Sequence, residues 1–445
     1  DRARHHRYPD SAAGGLMMAR PVASGAPPPP RTAVNVRHFG ARGDGRTDDT
    51  RAFQLAIASL PSTPSRLAVP CGPSGDCTYL IRPINLTSAM ELYLEDGTTL
   101  RAIADARLWP LIPPLPSYGR GRERGGARYT SLLRGEGLHD VSIRGEGYGS
   151  VIDGQGAYWW LRHLAGVEEH TRGHLIEFAS SRRVAVANLR MIDSPYWNTH
   201  FFDCDGVHVS GVRIEAPLLS PNTDGWDPDS SRDVLIEHSS YRGGDDCIAI
   251  KSGWDCFGAA YARPSANITA RNVTCEGPRA GVAIGSEMSG GVANVSFESI
   301  RFISANGAAH IKTGASRGGY VTDVSFSDLT FADGAALAHG ILVDAHYGSP
   351  NPSCPAGWRP AAPARLANFT FERIRGASTR VLGSAYRFHG SEASPIAGVV
   401  IRDAHFPAST LWSSWSCSQV SGTVSVDVEP KPPCSNFVEE VSSSR

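Results

Sequence analysis

NTDGWDPDSSRDVLIEHSSYRGGDDCIAIKSG, running from Asn222 to Gly253, is the stretch whose reading decides the fold. It holds Asp224 and the adjacent pair Asp245 and Asp246, with one short apolar strand pattern (Val234, Leu235, Ile236) between them. Asp224 and Asp245 are 21 residues apart, so a chain that coils back in about that length brings both to one face. In a plain strand Asp245 and Asp246 would point to opposite sides. Gly243 and Gly244 permit the backbone turn that lets both face one cleft. Read alone, Asp-Gly and Gly-Asp-Asp are solvated turns. The flanking pattern argues for more.

That pattern recurs on both sides. HDVSIRG (His139–Gly145), RRVAVANLRM (Arg182–Met191), DGVHVSGVRI (Asp205–Ile214) and RDVLIEH (Arg232–His238) share one form. ANITARNVT, ANVSFESIRF, TDVSFSDLTF, ANFTFERIRG and AGVVIRDA continue it to Ala404. With Val184, Val207, Val234, Ile268, Val295 and Val324 as anchors, the steps are 23, 27, 34, 27 and 29 residues. Short strands and turns at such a period mark a solenoid. The steps are short for a propeller blade, and a sandwich rarely repeats so evenly. The expected fold is all-β, a parallel β-helix. The longer gaps, Val141 to Val184 and Val324 to Phe369, hold either an extra coil or insertions.

Working outward, residues 1–33 are Arg/His-rich, then Ala/Gly-rich, and include Pro27–Pro30, which reads as a flexible arm. Residues 34–445 read as one domain. FGARGDGRTDDTRAFQLAIASL (Phe39–Leu60) predicts the one clear amphipathic helix, capped by Asp48 or Asp49, with Phe53, Leu55, Ala56 and Leu60 on one side. It is placed to cap the open end of the solenoid.

The net charge of −1 argues against nucleic acid or a membrane surface as partner, and no apolar run is long enough to span a bilayer. The chain starts at Asp1, with neither an initiator Met nor a signal-peptide pattern, which fits a trimmed start. Asn85, Asn267, Asn272, Asn294 and Asn368 stand in Asn-x-Ser/Thr sequons, pointing to a secreted glycoprotein. Nine cysteines fit an oxidising compartment and leave at least one unpaired. Cys71 with Cys77 and Cys417 with Cys434 could close local loops, and neither pair has the company zinc requires.

Three carboxylates meeting in one cleft suit acid–base cleavage of a glycosidic bond. One carboxyl donates a proton to the leaving oxygen while an ionised one activates water. Side chains on adjacent coils could span the roughly 6.5–9.5 Å of an inverting enzyme. Three lysines stand against forty arginines, and two of the three, Lys251 and Lys312, lie in or near this region. In His310-Ile311-Lys312, alternation puts both basic residues on one side, facing an acidic sugar.

These motifs resemble the polygalacturonase-type pectin hydrolases, most closely the longer plant members, some of them exo-acting. NTDG (Asn222–Gly225), GDDCIAIKSG (Gly244–Gly253) and HIKTGASRGGYV (His310–Val321) resemble the family's site motifs, in the family's order. FGARGDGRTDD resembles its N-terminal signature, and Ile112–Leu133 and TRGHLIEF (Thr171–Phe178) look like the plant members. The resemblance implies a right-handed parallel β-helix, a single-displacement inverting hydrolysis of α-1,4-galacturonosyl bonds, and no metal or other cofactor. It makes Asp245 the general acid, with Asp224 and Asp246 holding and activating water. It places Asn222, His310, Lys312, Tyr347 and Lys251 at the substrate, an acidic cell-wall polysaccharide, and implies a secreted monomer. It pairs Cys247 with Cys275.

Two positions depart from the family. Ala280 stands where the family has a histidine, and His310 where it has an arginine. A free imidazole is charged only below about pH 6.5, so His310 should bind carboxylate at about pH 5 and weaken toward neutrality. Trp226 either stacks on sugar or packs beneath a loop. The departures favour two other readings, a hydrolase of another pectin such as rhamnogalacturonan and an impaired pectin-binding protein. A calcium-dependent lyase fits the motifs less well. Ile112–Thr130 is the candidate loop for closing one end of the cleft.

Overall fold

The computed structural model describes residues 32–376, 379–407 and 414–440. The expected arm lies outside them except for Thr32 and Ala33, which open the first strand, Thr32–Asn35. Parallel strands stack coil on coil in two long ladders. The single antiparallel pair among the described residues joins Leu111–Ile112 to Arg128–Tyr129.

The anchors read from the sequence lie in one register. Val184 pairs with Val207, then Val234, Ile268, Val295, Val324, Phe369 and Val399. Val141 pairs directly with Val184, so the first long gap is one coil with an insertion that carries the helix Gly156–Leu164. The second long gap is likewise an insertion. The paired alternating runs of each repeat are the two halves of one long strand. Each is bent where Asn188, His238, Asn272, Ser299, Asp328 or Arg373 takes a left-handed backbone. Side chains from successive coils stack in the interior, as in Phe297 on Phe326 (5.0 Å) and Phe326 on Phe371 (4.9 Å). Burying each such ring contributes on the order of 2–3 kcal/mol.

The N-terminal helix α1 (Thr50–Ala58) forms where expected. Phe53 and Ala56 are buried, whereas Leu55 is 48% exposed and belongs to the outer face. The Asp49 carboxylate turns away from the helix to accept the Arg42 and Gly43 N–H groups (2.7 and 3.0 Å), leaving Asp48 to bond the Thr50 N–H (3.1 Å). α1 is not the only helix: α2 (Gly156–Leu164) and α3 (Asp255–Tyr261) lie in insertions. Disulfides join Cys71 to Cys77, Cys247 to Cys275, Cys256 to Cys354 and Cys417 to Cys434, and Cys204 is free and buried.

Candidate active site

The carboxylates sit where turns feed neighbouring strands of one ladder. Asp224 precedes the strand Trp226–Asp229, and Asp245 and Asp246 precede Ile248–Ile250, its partner. The 243–246 bend depends on close backbone contact: a Cβ on Gly244 would lie 1.8 Å from the Ser220 carbonyl oxygen. The Tyr241 hydroxyl accepts the Asp245 N–H (3.1 Å) and lies 3.0 Å from the Thr223 carbonyl, tying the two turns together. One oxygen from each of the three carboxylates falls within a mutual 4.8 Å. Asp224 lies one coil from the Asp245–Asp246 pair, and the coil spacing of about 4.8 Å is what lets their oxygens meet.

Their environments differ. Burial, reinforced by the charge on Asp246, pushes the Asp245 carboxyl up to about 6. Burial would raise Asp246 too, but Lys312 and then Lys251 outweigh it and hold Asp246 below the ordinary carboxylate range. Lys312 Nζ lies 2.5 Å from Asp246 Oδ2, and the Ala280 N–H donates to Oδ1 (2.9 Å). Ala280, where a histidine was expected, thus contributes its backbone. Asp224 is raised well above its ordinary value by burial and then by Asp245 and Asp227. Asn222, at φ 57°, donates to Asp245 Oδ2 (3.4 Å) and accepts from the buried Arg172 (2.9 Å).

Two expectations need correction, and the alternative left open for Trp226 is decided. His310 does not face out as a charged group; it is 8% exposed, and burial followed by Lys312 drives its imidazole down to about 3, neutral at pH 5. Lys251 is held inside by Asp227 (3.1 Å) and Asp224 (3.7 Å), over the Trp197 ring, so it neutralises carboxylates rather than presenting itself to substrate. Trp226 is fully buried and offers no stacking face. Tyr347 is 42% exposed, with its ring 5.7 Å from His310 in an edge arrangement.

Sequence reading missed the buried groups beneath the carboxylates. Asp227 has no exposed surface, and burial pushes it up to about 7 despite Lys251. All four residues of Trp226-Asp227-Pro228-Asp229 are buried, so alternation along the strand gave no signal for it. His200 lies between Glu177 (3.3 Å) and Asp229 (3.2 Å), and Arg128 contacts both Glu177 oxygens (2.8 and 3.1 Å). Among the described residues, two groups have the ligand types for a metal ion, Asp224/Asp245/Asp246 and His174/Glu177/His200. Each already contacts protein cations, the lysines in the first and Arg128 in the second.

The candidate loop Ile112–Thr130 runs beside this cluster, from Arg172 on an earlier coil to Glu287 and Asn351 on later ones. Tyr118 donates to Asp229 (2.6 Å), Arg122 pairs with Glu287 (2.8 Å) and Glu123 with Arg172 (2.6 Å). The Trp254 N–H bonds the Ser117 carbonyl (2.9 Å), and Cys256–Cys354 staples α3 to the segment that carries Asn351, whose side chain reaches Tyr118 (3.4 Å).

Neighbouring carboxylates shifted in opposite directions, with two buried lysines beside them on a parallel β-helix, are an arrangement suited to acid–base chemistry. The chain belongs to glycosyl hydrolases family 28, whose model matches residues 122–426. A second model, "Rhamnogalacturonase A/epimerase, pectate lyase-like", matches residues 33–93. A probable polygalacturonase of Vitis vinifera is 37% identical over 414 residues, covering 90% of this chain and 80% of the relative. The solved exopolygalacturonase of Thermotoga maritima superposes with a TM-score of 0.71 at 25% identity, covering 93% of both chains. The polygalacturonase of Erwinia carotovora shares the fold at a TM-score of 0.70, covering 91% of this chain and 99% of its own. The chain is therefore a glycoside hydrolase with a right-handed parallel β-helix fold.

Proposed function

We propose that this protein hydrolyses α-1,4-galacturonosyl bonds of pectin from a chain end. The observation that carries the reading is the opposite protonation of two consecutive residues. Asp245, with its carboxyl near 6, holds a proton under mildly acidic conditions and gives it to the glycosidic oxygen. Asp246, kept ionised by Lys312, takes the proton of the attacking water, and Asp224 fixes that water's position. The names of the Vitis and Thermotoga relatives support galacturonan as substrate. The anchored loop Ile112–Thr130 supports chain-end attack by walling one side of the cluster. The four disulfides favour a secreted protein of the cell wall.

The experiment is reducing-end release from polygalacturonic acid at about pH 5, where an acid with a pKa near 6 remains protonated. Product sizing and proton NMR of the first-formed anomer accompany it. Monomer of inverted configuration is expected from the first time point. A retained anomer would overturn single displacement. Mixed oligomers would overturn chain-end action. A second reading, rhamnogalacturonan as substrate, is favoured by Ala280 and the neutral His310; cleavage of that polymer but not of galacturonan would establish it.

A further inference from the structure

The five sequons fall into two kinds once they are placed on the fold. Asn267, Asn272, Asn294 and Asn368 stand at corners of the coil, all in left-handed backbone. At each, the side-chain nitrogen, the atom that would carry a sugar, already bonds a residue of the preceding coil: Asp233, His238, Asn267 and Asp323 in turn. Coils stack about 4.8 Å apart, which leaves no room for a sugar ring between them.

Asn85, in Asn85-Leu86-Thr87, is of the other kind. It ends the short strand Ile84–Asn85. Ile84 and Leu86 on either side of it are buried while Asn85 is exposed, so its side chain points outward. Among the described residues that side chain has no hydrogen-bond partner. Register then fixes its place. Asn85 pairs with Arg134, Arg134 with Glu177, Glu177 with His200 and His200 with Asp227. Asn85 therefore begins the outward column on which Asp227 stands four coils later, about 19 Å away at ordinary strand spacing. Glu177, between the two, is where Arg128 of the loop docks (2.8 Å).

We propose that Asn85 is the N-glycan acceptor of this chain and that the four corner asparagines stay bare. The inference rests on the secreted reading above. In the transfer, Asn85 Nδ2 bonds to C1 of an oligosaccharide carried on a lipid pyrophosphate. The C1–oxygen bond to that carrier breaks, the lipid pyrophosphate leaves, and Nδ2 gives up one proton. Transfer precedes folding, so the fold acts as a filter. A sugar on a corner asparagine stands where the amide must bond the coil before it, and that ladder cannot close. A sugar on Asn85 extends into solvent. Four coils of distance keep it clear of a polymer held at the carboxylates.

The test expresses the full chain behind a heterologous signal peptide in a eukaryotic secretory host. The folded, secreted protein is mapped by peptide mass spectrometry before and after enzymatic removal of N-glycans. The Asn85 peptide should carry a glycan, and the peptides holding Asn267, Asn272, Asn294 and Asn368 should not. Asn85→Gln and Thr87→Ala should each abolish the electrophoretic shift that deglycosylation produces, and Thr87→Ser, which keeps the sequon, should retain it. Melting of the secreted variants should stay close to that of wild type. Thr87→Ala decides the matter if the glutamine variant is not secreted. A bare Asn85 in the folded wild type, or a glycan on any corner asparagine, overturns the inference. If protein from its own tissue is intracellular and unglycosylated while the host product carries a glycan on Asn85, the secreted reading falls and the acceptor assignment stands.

Discussion

Asp245 and Asp246 are chemically identical and adjacent, yet Asp246 contacts a lysine while Asp245 has only neutral donors, the Asp246 N–H and the Asn222 amide, against burial and its neighbour's charge. The proposed roles follow from that asymmetry. Asp245→Asn should cut turnover by about 10²–10⁴-fold with substrate binding retained, measured as kcat and KM on polygalacturonate. Wild-type turnover should fall as pH rises through about 6, where Asp245 loses its proton. Lys312→Met removes the charge that holds Asp246 down, so the acid limb of the pH–rate profile should move to higher pH by about a unit or more. The three aspartates were legible because Gly243 and Gly244 mark a turn beside them. Asp227 was not, because a strand residue that belongs to a buried ion pair has the same spelling as one that faces solvent.

Short strands and corners make each coil, and the corners explain a signal that sequence reading took another way. Asn267, Asn272, Asn294 and Asn368 all take left-handed backbone, with φ between 51° and 63°. Their amides form ladders along the stack: Asn294 donates to Asn267 (2.8 Å), Asn267 to Asp233 (3.0 Å) and Asn368 to Asp323 (2.9 Å). Four of the five sequons thus have a structural cause, since asparagine tolerates this conformation better than most residues and the next outward strand position is often Ser or Thr. Asn294→Val should destabilise the fold by about 1–2 kcal/mol in a denaturant melt, and Asn294→Gly by less. The insertion Ile112–Thr130 was legible as a loop but not as a wall, because its anchors Arg172, Asp229 and Glu287 come from distant coils. Deleting residues 113–127 should turn monomer release into mixed oligomers on product sizing.

Across the whole molecule the repeat was legible because every coil must bury the same inward positions, and the sequence anchors fall in one register for that reason. The long gaps stayed ambiguous, since an insertion carries no inward pattern. Buried carboxyls also give the fold a pH preference. Asp227 titrates near 7 in the fold and near its ordinary 3.8 when unfolded, so the folded state holds a proton that the unfolded chain has lost across that window. Stability from this group is therefore full below about pH 4 and declines as pH rises to about 7. Glu287, held down to about 2 chiefly by Arg122 against the effect of burial, acts in reverse and weakens the fold as pH falls below its ordinary value. Asp227→Asn should melt higher than wild type at about pH 8 and close to it near pH 4, by calorimetry. The parallel register has one more consequence. It works as a ruler, its graduations about 4.8 Å apart, on which cleft residues are marks rather than independently placed groups. Adding or removing a coil beyond His310 would lengthen or shorten the ladder by whole graduations and leave the Asp224-to-Asp246 interval untouched, so this architecture can change its reach along a polymer without retuning its chemistry.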